Sequence, residues 1–406
     1  MDIIQLGKII SLILIFLVLL KFKTNISLAL FFLSVYAVIL FSVGAEKAFF
    51  SSLGILSERS SIKLYIIVLS VLYISNVQKH EKMFDKLLSS LRSIFRNDQI
   101  VSVTAPSIIG LLPMPGGALV SAPLVEKSTE KMDMSNEFRT YLNYWFRHVW
   151  EFIWPIYAGL LLFEAMSKIP LRTIILRQTP YTVLNIITGI SVFIYYLKTH
   201  NIKKINISEN NSIKKTFFDF LAGMWPILII VMLFFVFSIP LYISLIFSSV
   251  LLTLVRKIRI ENIVRMIFSP LMGKTMLLMI SVLVFQRILY ISNIFGTSTL
   301  GELSFGFLIF LCFIISFSIG FLTGVNTAYI AISYPILFPL IQGADFINLS
   351  VYAYVIGFSG ILLSPVHLCL VLTNEYFESN LLKVYKFLLP SVFLLMIFST
   401  FLVVVL

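Results

Sequence analysis

Residues 105–123 read APSIIGLLPMPGGALVSAP, and residues 320–335 read GFLTGVNTAYIAISYP. Each sets helix-interrupting residues inside an apolar run: Pro106, Gly110, Pro113, Pro115, Gly116, Gly117 and Pro123 in the first, and Gly320, Gly324 and Pro335 in the second. Proline removes a main-chain donor, and glycine loosens the backbone. Non-helical backbone at membrane depth survives only when it is buried in protein or lines a cavity. The two runs therefore predict re-entrant helical hairpins over 99–125 and 305–341, with a kinked full span as the alternative for each.

The rest of the chain supplies the membrane context. Of 406 residues, 59% are hydrophobic and 12% charged, against about a quarter charged in a soluble domain. The 38 Phe and 17 Tyr exceed what one water-soluble core of this length buries. The expected class is an all-α polytopic membrane protein, with the lipid bilayer as its immediate partner. Segments long enough to span, at roughly 20 apolar residues each, fall near 4–20, 26–44, 62–78, 142–166, 176–197, 218–238, 240–256, 272–291, 349–373 and 386–406. The first lacks a small-x-small cleavage site and is read as a retained span.

The formal charge of +12 lies in loops between spans and not along a groove for a polyanion, so no nucleic-acid partner is expected. If both hairpins return to the side they entered, 21 of the 31 Lys and Arg gather on one side and seven on the other. That bias places the first side in the cytoplasm and both termini outside a plasma membrane. Residues 80–98, HEKMFDKLLSSLRSIFRND, set apolar and charged residues on separate helical faces and predict an interfacial helix.

The polar stretch HNIKKINISENNSIKK, residues 200–215, falls midway along the chain. It divides a first repeat at 1–199 from a second at 217–406, with 200–216 as a cytoplasmic linker. Each hairpin ends its second arm with Ser-x-Pro, at Ser121 and Pro123 or Ser333 and Pro335, and the next span carries Pro155 or Pro365. The offsets between halves are 212 and 210 residues. Five full spans per half is an odd number, so the repeats are inverted. Inverted repeats with interrupted helices at corresponding positions point to a secondary transporter whose site lies at the repeat interface.

A broken helix aims free N–H groups and its positive dipole end toward the bilayer middle, where an anion can partner them, while unwound carbonyls can hold a cation. The candidate substrate contacts are Pro115, Gly116, Gly117 and Ser121 at the first hairpin, Gly324, Asn326, Thr327 and Ser333 at the second, and Ser364 and His367 beside Pro365. Close helix packing by small residues is the structural alternative. Residues 143–157, NYWFRHVWEFIWPIY, carry Asn143, Arg147 and Glu151 at i, i+4 spacing with His148 beside them. This row is a candidate proton relay, or a structural Arg147–Glu151 pair. Arg287 lies nearer the exterior and is expected to snorkel. Cys312 and Cys369 show no CxxC or Cys/His spacing, so neither a disulfide nor a zinc site is expected, and no cofactor is implied.

The strings GLLPMPGGALVSAP, YWFRHVWEFIWPIY, GFLTGVNTAYIAISYPIL and GFSGILLSPVHLCLVLTNEYF resemble the signatures of an integral-membrane family, domain of unknown function 401, over essentially the whole chain. That family in turn resembles the ion-transporter superfamily of gluconate permeases, citrate and dicarboxylate symporters and some sodium/proton antiporters. The resemblance implies a scaffold and a transport domain in each protomer, elevator motion and a homodimer. Dicarboxylate symporters carry Ser-Asn-Thr at both hairpin tips to bind sodium and carboxylate. Here the second tip reads Val325-Asn326-Thr327, a partial match that implies possible sodium binding near Asn326 and Thr327, and the first reads Pro115-Gly116-Gly117, which does not match.

These readings converge on a secondary active transporter of a small anionic solute, coupled to protons or sodium. Cation/proton antiport is the alternative, although Glu151 and Glu164 are the carboxylates it has near the midplane. An intramembrane hydrolase using His148, Glu151 and His367 is remote, because HExxH and GxSxG are absent, and no P-loop supports an ATP-driven pump. The chain is thus read as a transporter and not an enzyme. The orientation is tested by cysteine labelling from outside the cell, which should modify a tag at Leu406 and spare a cysteine replacing Asn210; the reverse pattern inverts the topology.

Overall fold

The computed structural model describes all residues except 1–6, 9–10, 13, 17, 20–21, 23–24, 84–89, 91–93, 96, 113–116, 203–212, 293–303, 344 and 406. In chain order the helices are α1 (Ile26–Leu40), α2 (Ala45–Ser57), α3 (Arg59–His80), α4 (Asp98–Gly110), α5 (Gly117–Thr129), α6 (Asn136–Arg147), α7 (Ala158–Ser167), α8 (Leu171–Thr199) and α9 (Ile213–Phe235). They continue as α10 (Leu241–Val255), α11 (Ile260–Ile267), α12 (Pro270–Ile291), α13 (Phe305–Thr323), α14 (Asn326–Leu337), α15 (Phe346–Leu363), α16 (Leu368–Tyr376) and α17 (Leu381–Val405). No strand occurs among the described residues.

Among the described residues, seven segments are long and apolar enough to cross a membrane: α3, α8, residues 216–235 of α9, α12, α13, the Phe346–Tyr376 path through α15 and α16, and α17. The burial pattern agrees with lipid as the surrounding solvent. On α8, Leu176, Val183, Ile187 and Ile194 face outward while Gln178, Thr182, Asn185 and Thr188 are buried. A helix in water would do the reverse. On α17 the same sorting exposes Phe393, Ile397, Phe401 and Val404 and buries Ser391, Leu395 and Ser399.

Five expected spans, 62–78, 176–197, 218–238, 272–291 and 386–406, coincide with α3, α8, α9, α12 and α17. Two, 26–44 and 240–256, form helices of 15 residues, α1 and α10. The segments 142–166 and 349–373 are not continuous helices. The first stops at Arg147 and resumes at Ala158, and the second stops at Leu363 and resumes at Leu368. Pro365 forces Ser364 out of helical geometry, to φ −71° and ψ 123°, because the proline ring collides with the preceding residue in the α region. Much of the interfacial helix expected over 80–98, and residues 203–212 of the linker, lie outside the described residues.

At the predicted hairpins the helices pair in succession, α4 packing on α5 and α13 on α14, and residues 113–116 between the first pair lie outside the described residues. Their arms differ in reach. At 1.5 Å per residue, the 13 residues of α4 and of α5 extend about 20 Å, well short of a bilayer core, whereas the 19 of α13 extend about 28 Å and suffice to cross it. In chain order each half runs hairpin, broken helix and long helix: α4–α5, α6–α7 and α8 in the first, α13–α14, α15–α16 and α17 in the second. The packing crosses between halves, since α14 contacts α7 and α16 contacts α5.

The tightest seam joins α13 to α15, and glycine makes it. A Cβ on Gly320 would strike the Gly357 carbonyl, and one on Gly360 would strike the Phe317 carbonyl, so the two backbones meet directly. In lipid, where apolar burial gains little, such close contact is the main source of helix–helix attraction. Gly320→Ala and Gly360→Ala should each cost about 1–3 kcal/mol as overpacking strain, read as a fall in Tm of the purified protein. Gly306→Ala, where a Cβ meets nothing within 4 Å, should leave Tm unchanged.

Candidate functional site

The two breaks and the second hairpin tip meet at one place. The tip turns in two residues: Gly324, at φ 60° and ψ 16°, ends α13 with its N–H on the Gly320 carbonyl at 2.9 Å, and extended Val325 leads into Asn326. The left-handed geometry requires glycine, and so does the neighbourhood, since a Cβ there would lie 2.9 Å from the His367 nitrogen and Ser364 Oγ. Thus the tip is seated in the notch of the second broken helix. His367 Nδ1 lies 2.6 Å from the Gly324 carbonyl and fastens it there.

Asn326 reaches the other way, into the first break. Its Nδ2 donates to Glu151 Oε1 and, at 3.2 Å, to the Tyr354 hydroxyl, which in turn donates to the Glu151 carbonyl at 3.3 Å. Gly159 provides the room, because a Cβ on it would overlap the Asn326 amide. Glu151 lies in the irregular stretch after α6, so the expected Asn143–Arg147–Glu151 helical row does not exist. That spacing holds from Asn143 to Arg147, then fails because the helix ends.

Arg147 is the last residue of α6, buried beneath the first hairpin. Its carbonyl is where a Cβ on Gly110 would fall, and its guanidinium is where one on Gly117 would fall. Arg147 Nη1 also donates to the Ile109 carbonyl at 3.4 Å. The guanidinium thus rests at the start of α5, where the dipole of that helix is also positive. Pro115 and Gly116 lie outside the described residues. Asn143 ties the two halves: its Nδ2 donates to the Ala118 carbonyl on α5 at 3.0 Å and to Thr373 Oγ1 on α16 at 3.1 Å.

Sequence reasoning missed the aromatic groups that serve these breaks. The end of α4 frees carbonyls that no helical N–H can meet. Trp150 Nε1 donates to the Ser107 carbonyl at 3.1 Å and its Oγ at 2.9 Å, Trp154 Nε1 to the Leu111 carbonyl at 2.8 Å, and the Tyr157 hydroxyl to the Gly110 carbonyl. At the end of α15, the Tyr144 hydroxyl donates to the Leu362 carbonyl at 3.2 Å and the Tyr385 hydroxyl to that of Leu363 at 2.8 Å. For all of these but Tyr385, a signal was present in the density of Trp and Tyr over 144–157.

Other predicted contacts stay local. Ser121 Oγ bonds the Gly117 and Ala118 carbonyls at 3.3 Å and Ser333 Oγ bonds the Tyr329 carbonyl, each within its own helix. Ser364 Oγ is buried with no hydrogen-bond partner among the described residues. Thr327 is half-buried beside Asn326. Glu164 accepts from the Leu171 N–H at 3.1 Å and so caps α8, and Arg287 pairs with Glu58. Both cysteines are free, and Cys369 stands within 4.8 Å, by its ligand atom, of His148 and His367. A cavity of about 760 Å³ lies elsewhere, bounded by Glu58, Lys168, Gln286, Arg287, Phe338 and Gln342 among others, and touches none of the polar cluster.

A family model described as "Protein of unknown function (DUF401)" matches residues 5–406. No curated protein matches the chain. The aromatic caps carry a measurable share of stability: Trp154→Phe keeps the ring and deletes its donor, leaving the Leu111 carbonyl without it. Unfolding of that variant, followed by thermal denaturation in detergent, should show a loss of about 1–3 kcal/mol.

Proposed function

The chain belongs to DUF401, a family of proteins of unknown function, and on that footing we propose that it is a secondary active transporter of a small anionic solute, coupled to protons or sodium. The observation that carries this reading is the crossing of Asn326 from the second hairpin tip to Glu151 in the break of the first half. Two interrupted helices and a hairpin tip converge there, and main-chain ends gathered inside a membrane protein are suited to holding ions and polar solutes. The position of Arg147 supports an anionic solute. Its guanidinium and the N-terminal end of α5 place two positive features side by side, an arrangement that an anion stabilises.

On this reading the halves 1–199 and 217–406 are inverted repeats, joined by a cytoplasmic linker in a plasma-membrane protein with both termini outside. The hairpins and broken helices form the transport domain of an elevator, and the protomers pair as homodimers. The matching order of elements in the halves and the likeness to the ion-transporter superfamily support this. Cation/proton antiport is less favoured: Glu164 spends an oxygen on the Leu171 N–H, which leaves Glu151 as the carboxylate in the cluster. The transport reading also makes the protein a carrier and not a catalyst.

A thermal-shift screen of purified protein against organic and inorganic anions, with and without sodium and across pH, tests the proposal. The cognate anion at about 100 times its Kd should stabilise the protein by about 2.7 kcal/mol. Arg147→Gln and Gly117→Val, each checked for folding by size exclusion, should abolish that shift, and Glu151→Gln should keep it while uncoupling accumulation from the driving ion. A wild-type protein that no anion stabilises, or variants that respond like it, would overturn the assignment.

A further inference from the structure

We propose that His148, His367 and Cys369 form a binding site for one borderline or soft transition-metal dication, of which Zn²⁺ is the representative. The three side chains come from two breaks far apart in sequence: His148 follows the end of α6, while His367 precedes α16 and Cys369 lies in its first turn. Their ligand atoms all fall within 4.8 Å of one another.

Hydrogen bonding fixes both imidazoles in the ligating tautomer. His148 Nδ1 lies 2.7 Å from the Tyr144 carbonyl, and His367 Nδ1 lies 2.6 Å from that of Gly324. A carbonyl can only accept, so each Nδ1 carries the proton and each Nε2 of a neutral ring presents its lone pair. Those two lone pairs face each other across 3.3 Å. Two such lone pairs repel each other, and a cation between them turns the repulsion into two bonds. An Nδ1–H on a backbone carbonyl is also the outer hydrogen bond that orients metal-bound histidine.

The separation of the two nitrogens suits a tetrahedral ion. Two Zn–N bonds of about 2.0–2.1 Å at the tetrahedral angle hold their nitrogens about 3.3 Å apart, which matches the observed separation. Cys369 supplies the third ligand as its thiolate, its proton leaving to solvent as the metal binds. Imidazole with thiolate selects zinc-like ions over magnesium or calcium. Three protein ligands leave a fourth position for water or a solute, as in sites where a metal exchanges ligands.

The test uses the full chain, purified in detergent and stripped with a chelator, with Co²⁺ as spectroscopic probe. One equivalent should produce tetrahedral d–d bands in the visible and a thiolate-to-cobalt charge-transfer band in the near ultraviolet, both displaced by Zn²⁺. Cys369→Ser should remove the charge-transfer band and Cys312→Ser should retain it. His367→Gln should weaken binding by more than the roughly 10–100-fold that follows loss of a ligand's hydrogen-bond partner. Because a ligand variant can misfold, alkylation of wild-type protein is mapped by mass spectrometry in parallel, and one equivalent of Zn²⁺ should protect Cys369. Folded wild-type protein without tetrahedral bands, which would leave a shared proton between the imidazoles, overturns the proposal. A charge-transfer band that survives Cys369→Ser, or no protection of Cys369, does the same. Metal binding is read without transport, so its failure leaves the anion assignment standing on its own test.

Discussion

Every main-chain group that proline and glycine set free inside this protein has to find a partner within the protein, because lipid provides none. The structure answers with side chains delivered from the first break and from neighbouring helices. Trp150, Trp154 and Tyr157, all from the first break, donate to the last carbonyls of α4. Tyr144 and Tyr385 do the same for α15. Each donor is an amphipathic ring whose body tolerates the apolar surroundings and whose one polar atom is committed to a carbonyl. The hairpins and broken helices are therefore conditions for one another: neither could sit at membrane depth without the groups the other provides.

This mutual dependence explains why polar residues concentrate at a single junction. Gly324 occupies the second break, Asn326 enters the first, and Asn143 joins α5 to α16. All three contacts pass between elements of different halves or between a hairpin and a broken helix. Glycine sets how near these pieces come, at Gly110 and Gly117 against Arg147 and at Gly159 against Asn326. Where α13 and α15 run side by side, the same device works without polar groups, and Gly320, Gly357 and Gly360 bring helix against helix or aromatic ring. A junction held by a few hydrogen bonds and close contacts, surrounded by long apolar helices, is the kind of element that can have two arrangements of similar energy.

What the sequence by itself determined was what lipid and proline impose locally. The apolar content places α3, α8, α9, α12 and α17 in a membrane, and the Pro/Gly clusters mark where α4 ends before α5 and α13 before α14, because hydrophobic run length and loss of a main-chain donor are properties of short stretches. Tertiary structure decided where the helices carrying Pro155 and Pro365 stop. A proline permits a kink or a break, and here the outcome depended on partners brought from elsewhere, the carbonyls of α4 for one and the Gly324 tip for the other. That choice dissolved the expected Asn143–Arg147–Glu151 row and sent Glu151 to Asn326, 175 residues away. It also joined His148 to His367 across 219 residues, with Cys369 beside them, although the spacing around Cys369 showed no metal-ligand pattern. The physical reason is one of range: hydrophobicity and helix interruption act within a turn or two of the chain, whereas a hydrogen bond in lipid goes to whichever partner the packing brings within about 3 Å.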